Sequence, residues 1–142
     1  MEGYDTAPLF ESGGAGLVST MEDYSRFAMM LANGGTFDGV RILSADMLGY
    51  MGSGQLEERH KKDLVWPTFR GYGYGNLCRV AKAPAESGCC VKEGSFGWDG
   101  WTGNYFIVDP KNRMVIMYVI QKCAGTDDRL IRRLLNTVYG AL

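Results

Sequence analysis

Apolar positions along this chain follow helical spacing near both ends and run almost continuously, as in strands, between them. Tyr24, Phe27, Ala28 and Leu31 recur at i, i+3, i+4 and i+7, which is one face of an amphipathic helix. Ser19 with Glu22, or Thr20 with Asp23, marks its start: a hydroxyl accepts from an orphan amide and a carboxylate reaches back. Asn33-Gly34-Gly35 marks its end, since glycine accepts the left-handed conformation past a helix C-terminus. Ahead of this helix, residues 1–11 read as extended or loose and residues 12–16 as a glycine-rich turn. After it, Asp38-Gly39 predicts a turn followed by a brief extended piece. Ser44 then caps a second, shorter helix, with Asp46 in its first turn and Met47, Leu48 and Met51 facing inward. Gly49 weakens that helix by roughly 1 kcal/mol relative to alanine.

Residues 52–70 mix glycine, charge and Trp66-Pro67, and predict a connection without regular structure. From residue 72 the period changes. "GYGNLCRVAKA" reads as one strand and "ESGCCVKEGSFGW" as another with a polar approach. "NYFIVDPKNRMVIMYVIQK" reads as a hairpin turning at Asp109-Pro110-Lys111-Asn112. Its arms are nearly continuous in apolar residues, so both faces of the sheet are expected to be covered. Thr126 with Asp127 and Asp128 opens a last helix, with Leu130, Ile131, Leu134, Leu135 and Val138 as its buried stripe opposite Arg129, Arg132 and Arg133. The pattern predicts one domain over residues 1–142, of α/β (α+β) class. It has two helices, an antiparallel meander of about three strands and a C-terminal helix packed on the sheet. A sheet apolar on both faces wants more cover than these helices give, so the chain reads as a portion of a larger layered domain.

Composition narrows the function. Hydrophobic residues make up 46% and charged residues 22%, an ordinary globular balance. The net charge of −1 leaves no basic footprint for nucleic acid or an anionic membrane. The basic run Arg59-His60-Lys61-Lys62 follows Glu57-Glu58 and reads as a solvated loop. No apolar run approaches the ~18 residues that span a bilayer, and the first residues lack the basic and apolar regions of a signal peptide. Four cysteines, Cys78, Cys89, Cys90 and Cys123, lack the paired clusters of a zinc site and are expected to be buried or reduced thiols. A vicinal redox pair at Cys89 and Cys90 is the alternative. Neither a metal nor a cofactor is expected.

Most chemical motifs fail on context. "GYGYG" at 71–75 has no leading strand and following helix, so it is not a dinucleotide loop. His60, the only histidine, lies in a charged loop without a nucleophile beside it. No serine begins Ser-x-x-Lys, and no Gly-x-Ser-x-Gly occurs. What stands out is "SFGWDGWTGNYFIVDP" at 95–110, where large and small residues alternate at the mouth of a strand. Two readings fit those residues. The indoles pack over the sheet edge with the glycines serving a bulge, or the stretch forms one wall of a cleft.

Two stretches, "GGAGLVSTMEDYSRFAMMLANGGTFDGVRILS" and "FGWDGWTGNYFIVDPKNRMVIMYVIQ", resemble the C-terminal part of the serine β-lactamase-like family. That family includes class C β-lactamases, D-alanyl-D-alanine carboxypeptidases and related esterases. The resemblance implies an antiparallel sheet with helices on both faces, and acyl transfer through a serine ester on β-lactam, peptide or ester substrates. The family uses Ser-x-x-Lys, Tyr-x-Asn and, on an edge strand beside the nucleophile, Lys-Thr-Gly or variants such as Trp-x-Gly. By this resemblance Trp98-Asp99-Gly100 is the third motif, and the Trp101 N–H is half of an oxyanion hole. Asp99, Thr102 and Gly103 then line the substrate. Trp101-Thr102-Gly103 is the alternative register, although the flanking "FG" and "NYFIVDP" favour Trp98. Trp98 stands where many relatives place lysine, which leans toward esterase-like substrates. The first two motifs would lie upstream of Met1, and Tyr74-Gly75-Asn76 spells the second only by chance. The chain alone is therefore expected to be inactive. Its setting is expected to be the bacterial cytoplasm or cell envelope. The alternatives are a non-catalytic binding member of the same fold, or a fragment that self-associates through an exposed sheet edge.

Overall fold

A computed structural model describes residues 14, 17–53, 56–123 and 127–142. The expected loose N-terminus and most of the glycine-rich turn lie outside the described residues.

Helix α1 spans Met21–Ala32. Of the two expected caps, Thr20 is the one used: its Oγ1 accepts from the Asp23 amide at 3.1 Å and donates to the Asp23 carboxylate at 3.0 Å. Glu22 instead pairs with Arg26 one turn on. The buried residues are Ala28, Met30, Leu31 and Ala32, whereas Phe27 is 45% and Tyr24 36% exposed. Half of the expected apolar face therefore lies open, with the Tyr24 ring resting edge-on against Phe106.

Asp38 and Gly39 both take positive φ and close a two-residue turn between β1 (Thr36–Phe37) and β2 (Val40–Arg41), the geometry that matches strand twist. Helix α2 (Ala45–Met51) starts at Ser44, whose Oγ accepts from the Met47 amide. Leu48 is its buried residue; Met47 points to solvent. The segment 52–70, expected to be irregular, contains a short helix α3 (Glu58–Lys61) and a 3₁₀ turn (Pro67–Phe69). Proline at the first position of that turn is pre-set for it.

The sheet has five strands rather than about three, in the order β3 (Tyr72–Gly75), β4 (Cys78–Ala81), β5 (Phe96–Asp99), β6 (Tyr105–Asp109), β7 (Met114–Tyr118). Every neighbouring pair is antiparallel. What reads as a single strand in "GYGNLCRVAKA" is the hairpin β3–β4, turned at Asn76 and Leu77, both at positive φ. The Asn76 amide donates to the Tyr50 carbonyl, tying this turn to α2. Tyr74-Gly75-Asn76 is thus strand end and turn. The polar approach to β5 carries a short helix α4 (Pro84–Ser87).

Helix α5 (Asp128–Tyr139) starts at Asp127, whose carboxylate accepts from the Arg129 and Leu130 amides. Thr126 lies outside the described residues. Ile131 and Leu135 form the buried stripe, while Leu130, expected there, is 42% exposed. Alternation along β6 fills both faces of the sheet. Val108 joins Met30, Leu31, Val80 and Phe96 under α1. Tyr105 and Ile107 join Ala81, Ile116, Ile131 and Leu135 under α5. Buried Asp109 locks the hairpin to α5: its carboxylate accepts from the Lys111 and Asn112 amides and, at 2.7 Å, from the Tyr139 hydroxyl. Burial and that bond raise the Tyr139 phenol well above its usual range. No helix among the described residues is long and apolar enough to cross a membrane.

Candidate functional site

Strand β5 carries Trp98 and Asp99 at its C-terminal end, and a tight loop carries Gly100, Trp101, Thr102 and Gly103. The expected third motif sits in the middle of the sheet, not on an edge strand as the resemblance implied. The ladder to β4 nevertheless ends at the Arg79–Gly97 pair, whereas the ladder to β6 continues through Trp98–Phe106 and Asp99–Tyr105. β4 extends only one residue further, to Cys78, before the β3–β4 turn at Asn76-Leu77. At Trp98 and beyond, β5 is locally an edge.

The loop is fixed from within. The Gly100 amide donates to the Asn104 carbonyl at 2.7 Å and the Gly103 amide to the Gly100 carbonyl at 2.9 Å. Asn104 donates to the Thr102 hydroxyl and accepts from the Ile120 amide; the Thr102 carbonyl accepts from Lys122. Thr102 and Asn104 therefore hold the turn to the segment after β7, and buried Gly103 closes it from within. Trp101 projects from its tip, 79% exposed, and its N–H has no acceptor among the described residues.

The glycines of this stretch separate into two kinds. A Cβ on Gly97 would lie 2.1 Å from the Phe106 carbonyl oxygen, so packing against β6 alone demands glycine. A Cβ on Gly100 would meet nothing nearer than 3.6 Å, from Asn104. Nothing within the described residues requires glycine there.

Beneath the motif lies Arg79, which the sequence reading did not single out. It is 7% exposed in strand β4. It pairs with Asp99 at 2.9 Å and donates to the Thr68 carbonyl at 3.2 Å. Its guanidinium lies 5.4 to 5.9 Å from the rings of Tyr72, Tyr105, Trp98 and Phe69, the range of cation–π attraction. Asp99, expected to line the substrate, instead neutralises this buried cation. A lone charge inside Cys78-Arg79-Val80-Ala81, otherwise apolar, was the signal available: a buried cation needs a partner. Behind Arg79 a cavity of about 30 Å³ touches Tyr72, Ser87, Cys89 and Ile131, a size that holds water rather than a substrate. Burial pushes the Cys89 thiol and the Tyr72 and Tyr105 phenols up, so they stay protonated at neutral pH. His60 lies exposed in α3 and takes no part in the ion pair or ring contacts of this cluster. Cys78 and Cys89 are buried as expected, while Cys90 and Cys123 are exposed; all four are free thiols. No group of three metal-binding side chains occurs among the described residues.

The beta-lactamase family profile matches residues 1–140. The chain belongs to the beta-lactamase family. Among its relatives, protein Rv1367c of Mycobacterium tuberculosis is 37% identical over 123 residues, covering 83% of this chain and 31% of that protein. A putative D-alanyl-D-alanine carboxypeptidase of Escherichia coli O157:H7 is 28% identical over 111 residues, 78% of this chain and 23% of its own length. A penicillin-binding protein homologue from Caulobacter crescentus superposes with a TM-score of 0.63 at 25% identity, over 82% of this chain and 30% of that one. This beta-lactamase-family chain thus spans less than a third of each of these relatives. Its mixed fold, an antiparallel sheet between helices, is that of the penicillin-binding protein homologue.

Proposed function

We propose that the chain supplies one wall of an acyl-serine hydrolase site, with Trp98-Asp99-Gly100 as the third motif and the Trp101 N–H as one oxyanion donor. The nucleophile would come from the remainder of a full-length domain, since no Ser-x-x-Lys occurs in these residues. The observation that carries this reading is the local edge after Gly97. Gly100 there has no packing need for glycine and the next amide has no acceptor. A planar trans peptide points its N–H opposite its C=O. With the Gly100 carbonyl turned to the Gly103 amide, the Trp101 N–H of the same peptide faces the opposite way, out of the turn. A donor held by a closed turn, beside a residue without a Cβ, suits an oxygen that becomes negative in a tetrahedral intermediate. Thr102 and Gly103 act in this reading by shaping the turn that carries the donor. In the alternative register, Trp101-Thr102-Gly103 lies in that turn rather than on the strand, which favours Trp98-Asp99-Gly100.

The test removes the donor alone. Trp101 is the second residue of the turn closed by the Gly103–Gly100 bond, a position that tolerates proline. In a full-length domain, Trp101→Pro should lower kcat for p-nitrophenyl acetate by roughly 100-fold or more, whereas Trp101→Ala, which keeps the N–H, should not. Equal activity of the two variants sinks the oxyanion assignment. The 142-residue chain alone should show no acylation burst; a burst would overturn the placement of the nucleophile elsewhere. A full-length domain that binds esters without turnover would mark a recognition member of the same fold.

A further inference from the structure

Around Trp98 the structure gathers rings from three separate elements. Phe69 comes from the 3₁₀ turn, Tyr74 from β3 and Trp98 from β5. The centroid of Trp98 lies 5.3 Å from Tyr74 and 5.9 Å from Phe69, and Phe69 lies 6.3 Å from Tyr74, so the three touch pairwise. Their planes meet at 60 to 65°, the tilted arrangement rings prefer. Trp66 extends the group, 5.9 Å from Phe69. Phe69 is buried, whereas Trp98 and Trp66 are 38% and 63% exposed. The cluster is thus anchored at Phe69 and opens to solvent at two indoles, one of them in the motif itself. The cation behind it is already satisfied: Arg79 is paired with Asp99 and covered by the rings. What the cluster offers a ligand is a neutral aromatic surface, not a charge.

We propose that Trp66 and Trp98, keyed on Phe69, form a subsite for a neutral aromatic group of the substrate, adjoining the acyl centre at Gly100 and Trp101. The proposal rests on the hydrolase reading for its account of which bond is cut. The binding itself needs no nucleophile. The substrates it selects are esters carrying an aromatic ring, in preference to carboxylate-bearing β-lactams or peptides.

Binding to the 142-residue chain is measured by saturation-transfer NMR with three probes. These are methyl phenylacetate, its acid phenylacetate, and ethyl acetate, which lacks the ring. Methyl phenylacetate should bind, with phenylacetate roughly tenfold weaker and ethyl acetate weaker still. Trp66→Ala and Trp98→Ala should each weaken methyl phenylacetate by about 3- to 10-fold, and Trp66→Phe by less than about threefold. Preferred binding of phenylacetate, comparable binding of ethyl acetate, or unchanged binding in both alanine variants would overturn the subsite. Trp66 is largely exposed, so its variants keep the proposal falsifiable should Trp98→Ala unfold. If the ring subsite binds but a full-length domain never acylates, the hydrolase reading fails and the subsite stands. If the domain acylates but the ring probes ignore both tryptophans, the subsite alone fails.

Discussion

The two halves of strand β5 obey different rules. Ser95, Phe96 and Gly97 are buried, and Phe96 and Gly97 are laddered on both sides, to β4 and to β6. Glycine there is dictated by a backbone oxygen that would otherwise overlap a side chain. From the next residue on, Trp98 and Asp99 keep one ladder partner and are partly open, and Gly100, in the loop just beyond, has space around it. The same residue type means packing at one position and access at the other. Sequence alone does not separate them, because both sit in a Gly-Trp-rich run; the length of the neighbouring strand does.

That contrast is broken most forcefully at Gly97. Gly97→Ala should cost at least ~4 kcal/mol, at the severe end of overpacking, because the clash is with backbone; urea unfolding followed by circular dichroism measures it. A value near zero would show that the first half of β5 is not the packing half. Next comes the charge beneath the motif. Asp99→Ala leaves Arg79 buried without its carboxylate and should cost about 2–3 kcal/mol, below the full penalty for a buried pair because Asp99 is 26% exposed at its side chain. The smallest effect is expected at Gly100. Gly100→Ala should change stability by no more than about 0.5 kcal/mol, yet reduce the activity of a full-length domain. If Gly100→Ala proves as damaging to folding as Gly97→Ala, the distinction between the two glycines collapses.

The helices were legible because their signals are local. Thr20 with Asp23, Ser44 with Asp46 and the 3.6-residue spacing each lie within one turn. The β6–β7 hairpin was legible through its proline turn. The β3–β4 hairpin was not, because Asn76-Leu77 forms a positive-φ turn without glycine. The sequence therefore reads through it as one strand. Leu130 was assigned to the core by spacing, but the stripe of α5 settles on Ile131 and Leu135. At the site, the resemblance located Trp98 to Gly103, but Asp99 took a role no motif describes. Its partner Arg79 is twenty residues away along the chain, and the rings around that guanidinium come from Phe69, Tyr72, Trp98 and Tyr105. Such convergence depends on register, which periodicity does not encode.

Strand order in the large sheet follows chain order without a crossover. Each ladder therefore closes only the loop between neighbours, and closure entropy grows slowly with loop length. Among the described elements, α1 makes contacts with the sheet that are far apart in sequence, reaching β6 and β7 from near the other end of the chain. Antiparallel sheets usually count among slow-folding structures because their pairings are distant in sequence. Here the sheet is the local object, and the helix is the part that must search.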